Sequence, residues 1–248
     1  MADEEALTPM QAAFRVARDM DAPINERLAI IARQVKRGNP GFADAVDRMV
    51  ARLQAADAGA SAPQVGETLP PFALPDDGGR IVSLQALLAR GPVVISFNRG
   101  HWCPYCRLQM SVMGQVHADV VQAGGQLVTI VPERRKFAAL MRREAQAPFA
   151  VLTDMDNGYA LSLNLAVWVG AEMAAMMAGF GVNLPEYQGN ESWILPIPAS
   201  FVVGRDGMIV ARHIEPDYRL RMETDALLNA VRQAGGLQTP TNPSRAAN

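Results

Sequence analysis

One stretch constrains this chain more than any other: a buried strand runs into a helix through a short loop that carries both of its cysteines. Pro92-Val93-Val94-Ile95-Ser96-Phe97-Asn98 is a mostly apolar run, the pattern of a strand covered on both faces. Cys103-Pro104-Tyr105-Cys106 follows, and a helix is predicted from Cys103 to about Ala123, with Cys106, Met110, Met113 and His117 on one face. A strand that is apolar on both sides needs helices above and below it. This segment therefore points to a layered α/β fold rather than a sandwich or a bundle.

The rest of the sequence agrees. Gln126 to Val131 and Ala150 to Leu152 read as further buried strands, and Glu133 to Gln146 as a charged helix between them. Asn157 to Leu165 reads as a helix. Ser200 to Val203 and Met208 to His213 read as strands joined by the turn Gly204-Arg205-Asp206-Gly207. Thr224 to Ala234 is the last helix. The order β-α-β-α-β-α, then a hairpin and a helix, implies a central mixed sheet flanked by helices. Ahead of it, apolar residues recur at helical spacing from Thr8 to Ala55, and Gly38-Asn39-Pro40-Gly41 interrupts them, so at least two helices are expected there. The expected organisation is a helical extension and linker over 1–62, a main domain over 63–237 and a polar tail over 238–248 expected to be disordered. A helical insertion falls at about 166–193. Its stripe of Val169, Met173, Met176, Met177 and Phe180 is read as packing on the core. The Met-rich surface also leaves room for a homodimer.

Composition excludes several classes. A net charge of −2 gives no electrostatic reason for a nucleic-acid partner. No apolar run reaches the roughly 18–20 residues of a membrane span, and the acidic Met1-Ala2-Asp3-Glu4-Glu5 start lacks a secretory layout. The expectation is a cytoplasmic protein with no membrane partner. In a reducing compartment two cysteines three apart are chemical rather than structural.

Pro104 distinguishes the two sulfurs. Proline is favoured at the first helical position, which makes Cys103 the N-cap. There a thiolate would face the N–H groups of Tyr105 and Cys106 and the positive end of the helix dipole. Cys103 is thus the expected nucleophile, with a lowered pKa, and Cys106 the resolving thiol that closes a short disulfide. Zinc would need two further ligands that the chain does not offer at suitable spacing. An inert buried pair is the other alternative, but strand, loop, cysteine, proline and helix form the context of a redox CxxC. No cofactor or metal is called for.

Several ordered motifs resemble those of alkyl hydroperoxide reductase/thiol-specific antioxidant proteins. Val65-Gly66-Glu67-Thr68-Leu69-Pro70-Pro71-Phe72 resembles their entry segment, and Phe97-Asn98-Arg99-Gly100-His101-Trp102-Cys103-Pro104-Tyr105-Cys106 is similar to that of their peroxiredoxin-like branch. Leu184-Pro185, Tyr187, Trp193 with Leu195 to Val203, and Glu215 to Glu223 are similar to that branch too. The resemblance covers about 65–235. It implies a thioredoxin-like fold, a cis proline at Pro198 (Pro196 being a rival), and antioxidant reduction of peroxides, with thioredoxin or glutathione as external reductant.

The sequence departs from the typical pattern at Ser96 and Gly100, which stand where the family has Pro and Thr, and at Pro198, which stands at the position of a later Arg. Arg99 or Arg107 could supply the missing cation, and His101 is a candidate proton donor. Trp102 and the Cys-Pro-Tyr-Cys core are also similar to those of thioredoxins and glutaredoxins, which leaves thiol–disulfide exchange open. A non-catalytic redox sensor or scaffold is a third possibility. The Glu215 to Glu223 motif has no evident chemistry, and Arg221 and Glu223 read as solvated surface charges.

Overall fold

In the computed structural model, which describes residues 7–236, the apolar run becomes β3 (Val93–Phe97) at the centre of a five-stranded sheet. It pairs in parallel with β4 (Gln126–Val131), which pairs in parallel with β5 (Ala150–Thr153). On its other side it pairs antiparallel with β8 (Ala199–Val203), followed by β9 (Ile209–Ile214). Every residue of β3 is buried, as a strand covered on both faces requires. Val94 faces one core, while Val93, Ile95 and Phe97 face the other. Gly207, with φ +83°, closes the β8–β9 turn, a conformation that is cheap only without a Cβ.

The first core lies under α5 (Pro104–Gln122), α6 (Arg135–Glu144) and α10 (Thr224–Ala234). The second lies under α4 (Leu84–Leu88), α7 (Gly158–Ser162) and the small hairpin of β1 (Ala73–Pro75) and β2 (Ile81–Ser83). The N-terminal segment folds as three helices: α1 (Pro9–Asp19), α2 (Ile24–Gly38) and α3 (Pro40–Ala55). The expected break at Asn39-Pro40 is present. A second falls at Met20 to Pro23, where Pro23 cannot continue a helix from the residues before it. These helices stack on α5: Ala17, Ile24, Leu28 and Ile31 join the first core, and the buried Arg27 donates to the carbonyls of Ala17 and Arg18 and to Gln115.

The insertion departs from expectation in being closed by a two-stranded ribbon, β6 (Ala166–Trp168) with β7 (Ile194–Pro196), around α8 (Ala171–Gly179) and α9 (Leu184–Gln188). Its Met173 and Met177 are buried in the first core. Pro198 is a correction: no cis peptide occurs among the described residues. Trans is the lower-energy X–Pro isomer, and the chain passes from β7 to β8 already extended. Glu133 is another. α6 begins only at Arg135, so Glu133 stays in the preceding loop, wholly buried. Among the described residues, no helix is long and apolar enough to cross a membrane. The polar tail lies outside the described residues.

Candidate active site

α5 starts where Pro104 sets it, and Cys103 is its N-cap. Both sulfurs are free and buried, Cys103 at 1% exposed and Cys106 at 0%. The N-cap position is as expected, but its electrostatic consequence is not. Cys103 makes no side-chain cap hydrogen bond. Burial pushes its pKa up, and the hydrogen bond and negative charge it shares with Cys106 push it further. Cys106 is the better-solvated sulfur in the protein's own terms. Its Sγ accepts the Arg99 N–H at 3.3 Å and faces Arg221 Nη2 at 3.6 Å. Burial would push this thiol up too, but the Cys103 hydrogen bond, the Arg221 charge and the Arg99 N–H outweigh it and hold Cys106 below the ordinary thiol range. Fixed donors and charge thus gather on Cys106, in addition to the helix dipole that the sequence shows at Cys103.

The two sulfurs also differ in access. Cys103 lines a groove of about 430 Å³, with Trp102, Pro104, Tyr105 and Arg99 from the active-site loop. Its outer walls are Met10, Val35 and Phe42 from the N-terminal helices and Met177, Phe180 and Val182 from the insertion. Phe42 meets Phe180 edge to face at 5.4 Å, a favourable arrangement for two rings. Among the described residues that line the groove, Arg99 is the cation. Its guanidinium lies 3.9 Å from the Tyr218 ring centre and 5.0 Å from that of Trp102, a cation–π clamp that holds a charge in an apolar wall. Arg107 instead pairs with Glu144 at 2.9 Å on the outer side. The His101 ring pairs with the same Glu144 at 3.0 Å, and among the described residues no hydrogen bond joins it to Cys103. Pro198 is buried behind the site, sharing a small cavity with Arg99 and Tyr218.

Gly100 explains the departure from the usual threonine. Its φ is +135°, and a Cβ there would come within 2.4 Å of Glu133 Oε1. Glu133 occupies the space a side chain would need. Its Oε2 accepts the His101 N–H at 2.8 Å, its Oε1 has no partner, and burial pushes its pKa up to about 8. Ser96 is likewise a network residue: its Oγ accepts from Asn98 Nδ2 and Gln109 Nε2, both at 3.1 Å.

The Glu215 to Glu223 motif is neither solvated nor idle. Tyr218 floors the groove, and its ring meets Tyr105 edge to face. Arg219 pairs with Asp217 and with Asp47 on α3. Glu223 accepts the Ile24 N–H at 3.0 Å at the start of α2, where a carboxylate complements the helix dipole. Arg221 is 2% exposed, which corrects its reading as a surface charge. Tyr187 packs on Phe137 and Trp193 on the first core, away from the groove. Glu133, Gln109 and Arg221 are the positions around the dithiol that the sequence reading missed. The glycine at 100 was the available signal for the first, and the arginine in a motif of no evident chemistry for the last. Among the described residues, no cluster of three or more His, Cys, Asp or Glu is placed to hold a metal.

Comparison with known proteins places this site in a family. The AhpC/TSA family matches residues 65–212. The chain is 22% identical over 160 residues to the thiol-disulfide oxidoreductase ResA of Bacillus thuringiensis (strain Al Hakam), covering 64% of this chain and 75% of that protein. It is 30% identical over 92 residues to the chloroplastic peroxiredoxin Q of Sedum lineare, covering 37% of this chain and 49% of that protein. The crystal structure of the peroxidoxin BcpB from Mycobacterium tuberculosis superposes with a TM-score of 0.53 at 18% identity, over 68% of this chain and 97% of that one. With the mixed sheet and the dithiol at the head of α5 already in view, these matches lead to one conclusion: the chain belongs to the AhpC/TSA family and is a thiol-dependent oxidoreductase on a thioredoxin-like fold.

Proposed function

We propose that this protein reduces organic hydroperoxides, with Cys103 as the attacking sulfur and Cys106 as the resolving one. The observation that carries the reading is the groove: Cys103 lines an apolar cavity of about 430 Å³, much larger than hydrogen peroxide requires. Apolar substituents entering it gain about 25 cal/mol per Å² of buried surface, a gain that hydrogen peroxide cannot make. Arg99 sits where negative charge develops on the departing oxygen, and a fixed cation in a dry site stabilises such charge. Attack leaves Cys103 as a sulfenic acid. Cys106 condenses with it to a disulfide, and an external thiol of the thioredoxin or glutathione type restores the dithiol. A reducing compartment such as the cytoplasm suits this cycle. A division into an N-terminal cover, 1–62, and a catalytic body, 63–237, suits it too, because the cover supplies Met10, Val35 and Phe42 to the groove. A homodimer through the insertion is compatible with this arrangement.

Thiol–disulfide exchange is the second reading. Gly100 and Pro198 in place of the usual Thr and Arg favour it, as does the likeness to ResA. Steady-state turnover of the reduced protein with cumene hydroperoxide, hydrogen peroxide and a mixed disulfide, each recycled by thioredoxin or glutathione, separates the two. The expected order is cumene hydroperoxide first. Turnover of the disulfide without either peroxide would replace the first reading with the second.

A further inference from the structure

The groove at Cys103 has a neighbour of different character. A second cavity, of about 400 Å³, adjoins it, and Met10 and Pro104 line both. Both volumes fall in the roughly 300–1,000 Å³ range of small-molecule sites. The groove holds the outer sulfur between apolar walls. The second cavity is basic: Arg15 and Arg18 from α1, Arg107 from α5 and His101 line it, against one carboxylate among the described lining residues, Glu144. The chain as a whole carries a net charge of −2, so this positive charge is a local concentration and not the general field of the protein.

These guanidinium groups suit a carboxylate ligand. Among the described residues, no ion pair includes Arg15, and Arg18 pairs only with its neighbour Asp19. Arg107 lies over the Phe14 ring at 5.3 Å, and its Nη2 donates to Glu144 at 2.9 Å. A guanidinium keeps further N–H donors beyond that one, in a planar fork that matches a carboxylate. Arg107 stands one helical turn along α5 from Cys103, about 6 Å of rise. A carboxylate held there belongs to a molecule whose other end reaches the outer sulfur within a few bonds.

The cover over the site favours a small molecule. Cys103 is 1% exposed, and side chains from the N-terminal helices and the insertion wall its groove. A folded reductant would present a face of about 800 Å², which these walls keep away from the sulfur. We propose that the reductant of the Cys103–Cys106 disulfide is a small carboxylate-bearing thiol of the glutathione class, and that Arg15, Arg18 and Arg107 form its carboxylate site. This rests on the dithiol cycle above and holds for either oxidant. The incoming thiolate attacks Cys103 Sγ and forms an S–S bond with it. The Cys103–Cys106 bond breaks, and its electron pair leaves on Cys106 Sγ. A second molecule of the thiol then attacks the small-thiol sulfur of the mixed disulfide, Cys103 leaves as the thiolate, and the small disulfide departs. The two thiols give up two electrons and two protons, and the protein disulfide takes both up as the dithiol.

The test uses the full-length protein, oxidised with diamide to the Cys103–Cys106 disulfide and freed of the reagent. Its reduction is followed by quenched alkylation with glutathione, glutathione diethyl ester, 2-mercaptoethanol or reduced thioredoxin at matched thiolate concentration. Glutathione should be the fastest, about tenfold ahead of its diethyl ester, the scale of one charge-assisted hydrogen bond. Arg15→Gln together with Arg107→Gln should slow glutathione by about tenfold and bring it level with the ester. Equal rates for glutathione and its ester in the unaltered protein overturn the proposal. So does thioredoxin outrunning glutathione, or a double variant that slows both small thiols alike. If the double variant fails to fold, the comparison of glutathione with its ester in the unaltered protein still decides. Because diamide is the oxidant and no peroxide is used, failure here and failure of the peroxide reading are separate results.

Discussion

Cys103 and Cys106 are one helical turn apart in the same core but meet different surroundings. Around Cys103 the surroundings are apolar and reach outward: Trp102, Tyr105, Tyr218 and the side chains lent by the N-terminal helices and the insertion. Around Cys106 they are polar and sealed: the Arg99 N–H, Arg221, and the Gln109, Ser96 and Asn98 chain. The difference separates two requirements that a lone catalytic thiol must meet at once. The outer sulfur needs room and an apolar approach for its substrate. The inner one needs donors and charge, which an apolar groove cannot supply. Placing the pair across the first turn of one helix lets a single dithiol meet both.

Substitutions can break this contrast, and the largest effect is expected at the outer sulfur. Cys103→Ser should lower turnover with every oxidant by on the order of 10³-fold or more, since Cys106 is sealed from the groove. Substantial activity left in that variant would mean that Cys106 is reached directly. Cys106→Ser should lose steady-state turnover but still oxidise once per chain, leaving an adduct on Cys103 that a sulfenic-acid reagent labels. Loss of that single oxidation as well would show that Cys103 is not the sulfur attacked first.

The apolar side is tested at its rim. Phe42→Ala should raise KM for cumene hydroperoxide by about threefold to tenfold, in line with roughly 0.8 kcal/mol per buried methylene lost, and leave hydrogen peroxide kinetics unchanged. An equal effect on both peroxides would show that Phe42 shapes the loop rather than the groove.

A smaller effect sharpens the polar side. Folded, Glu133 keeps its proton up to about pH 8, whereas unfolded it gives it up near the ordinary carboxylate value of about 4.3. Between those values the unfolded chain binds fewer protons, so stability falls as pH rises and the loss is complete above about pH 8. Glu133→Gln should flatten this dependence and raise stability at pH 8.5 by about 2 kcal/mol, the scale of relieving a buried charge. Urea unfolding at pH 5 and pH 8.5 measures it. An unchanged slope would place the acid elsewhere.

Much of the frame was legible in the sequence. β4 and α10 fall at the bounds their patterns predict, and Pro104 fixed the helix start and the N-cap place of Cys103, because these are local signals of periodicity and backbone geometry. What could not be read is what comes from far away. Arg221 reaches Cys106 across 115 positions, and Glu133 meets the active-site loop 32 positions distant. Helical periodicity gave Glu133 to the charged helix that follows it, since nothing local marks a carboxylate that turns inward. The break before α2 was missed for a smaller reason: Pro23 lies in a segment whose apolar spacing continues on both sides of it. The donors to Cys106 were missed because the helix dipole is visible in sequence and contacts made from distant segments are not.

The account depends on the outer sulfur meeting an organic hydroperoxide while the inner one closes the cycle. Its most direct test is single-turnover oxidation of the fully reduced protein by one equivalent of cumene hydroperoxide, hydrogen peroxide or a mixed disulfide, with the product identified by mass spectrometry. Fastest oxidation by cumene hydroperoxide, ending in an intramolecular Cys103–Cys106 disulfide, is the predicted result. Faster oxidation by the disulfide than by either peroxide, or a product in which Cys106 is modified first, would contradict it.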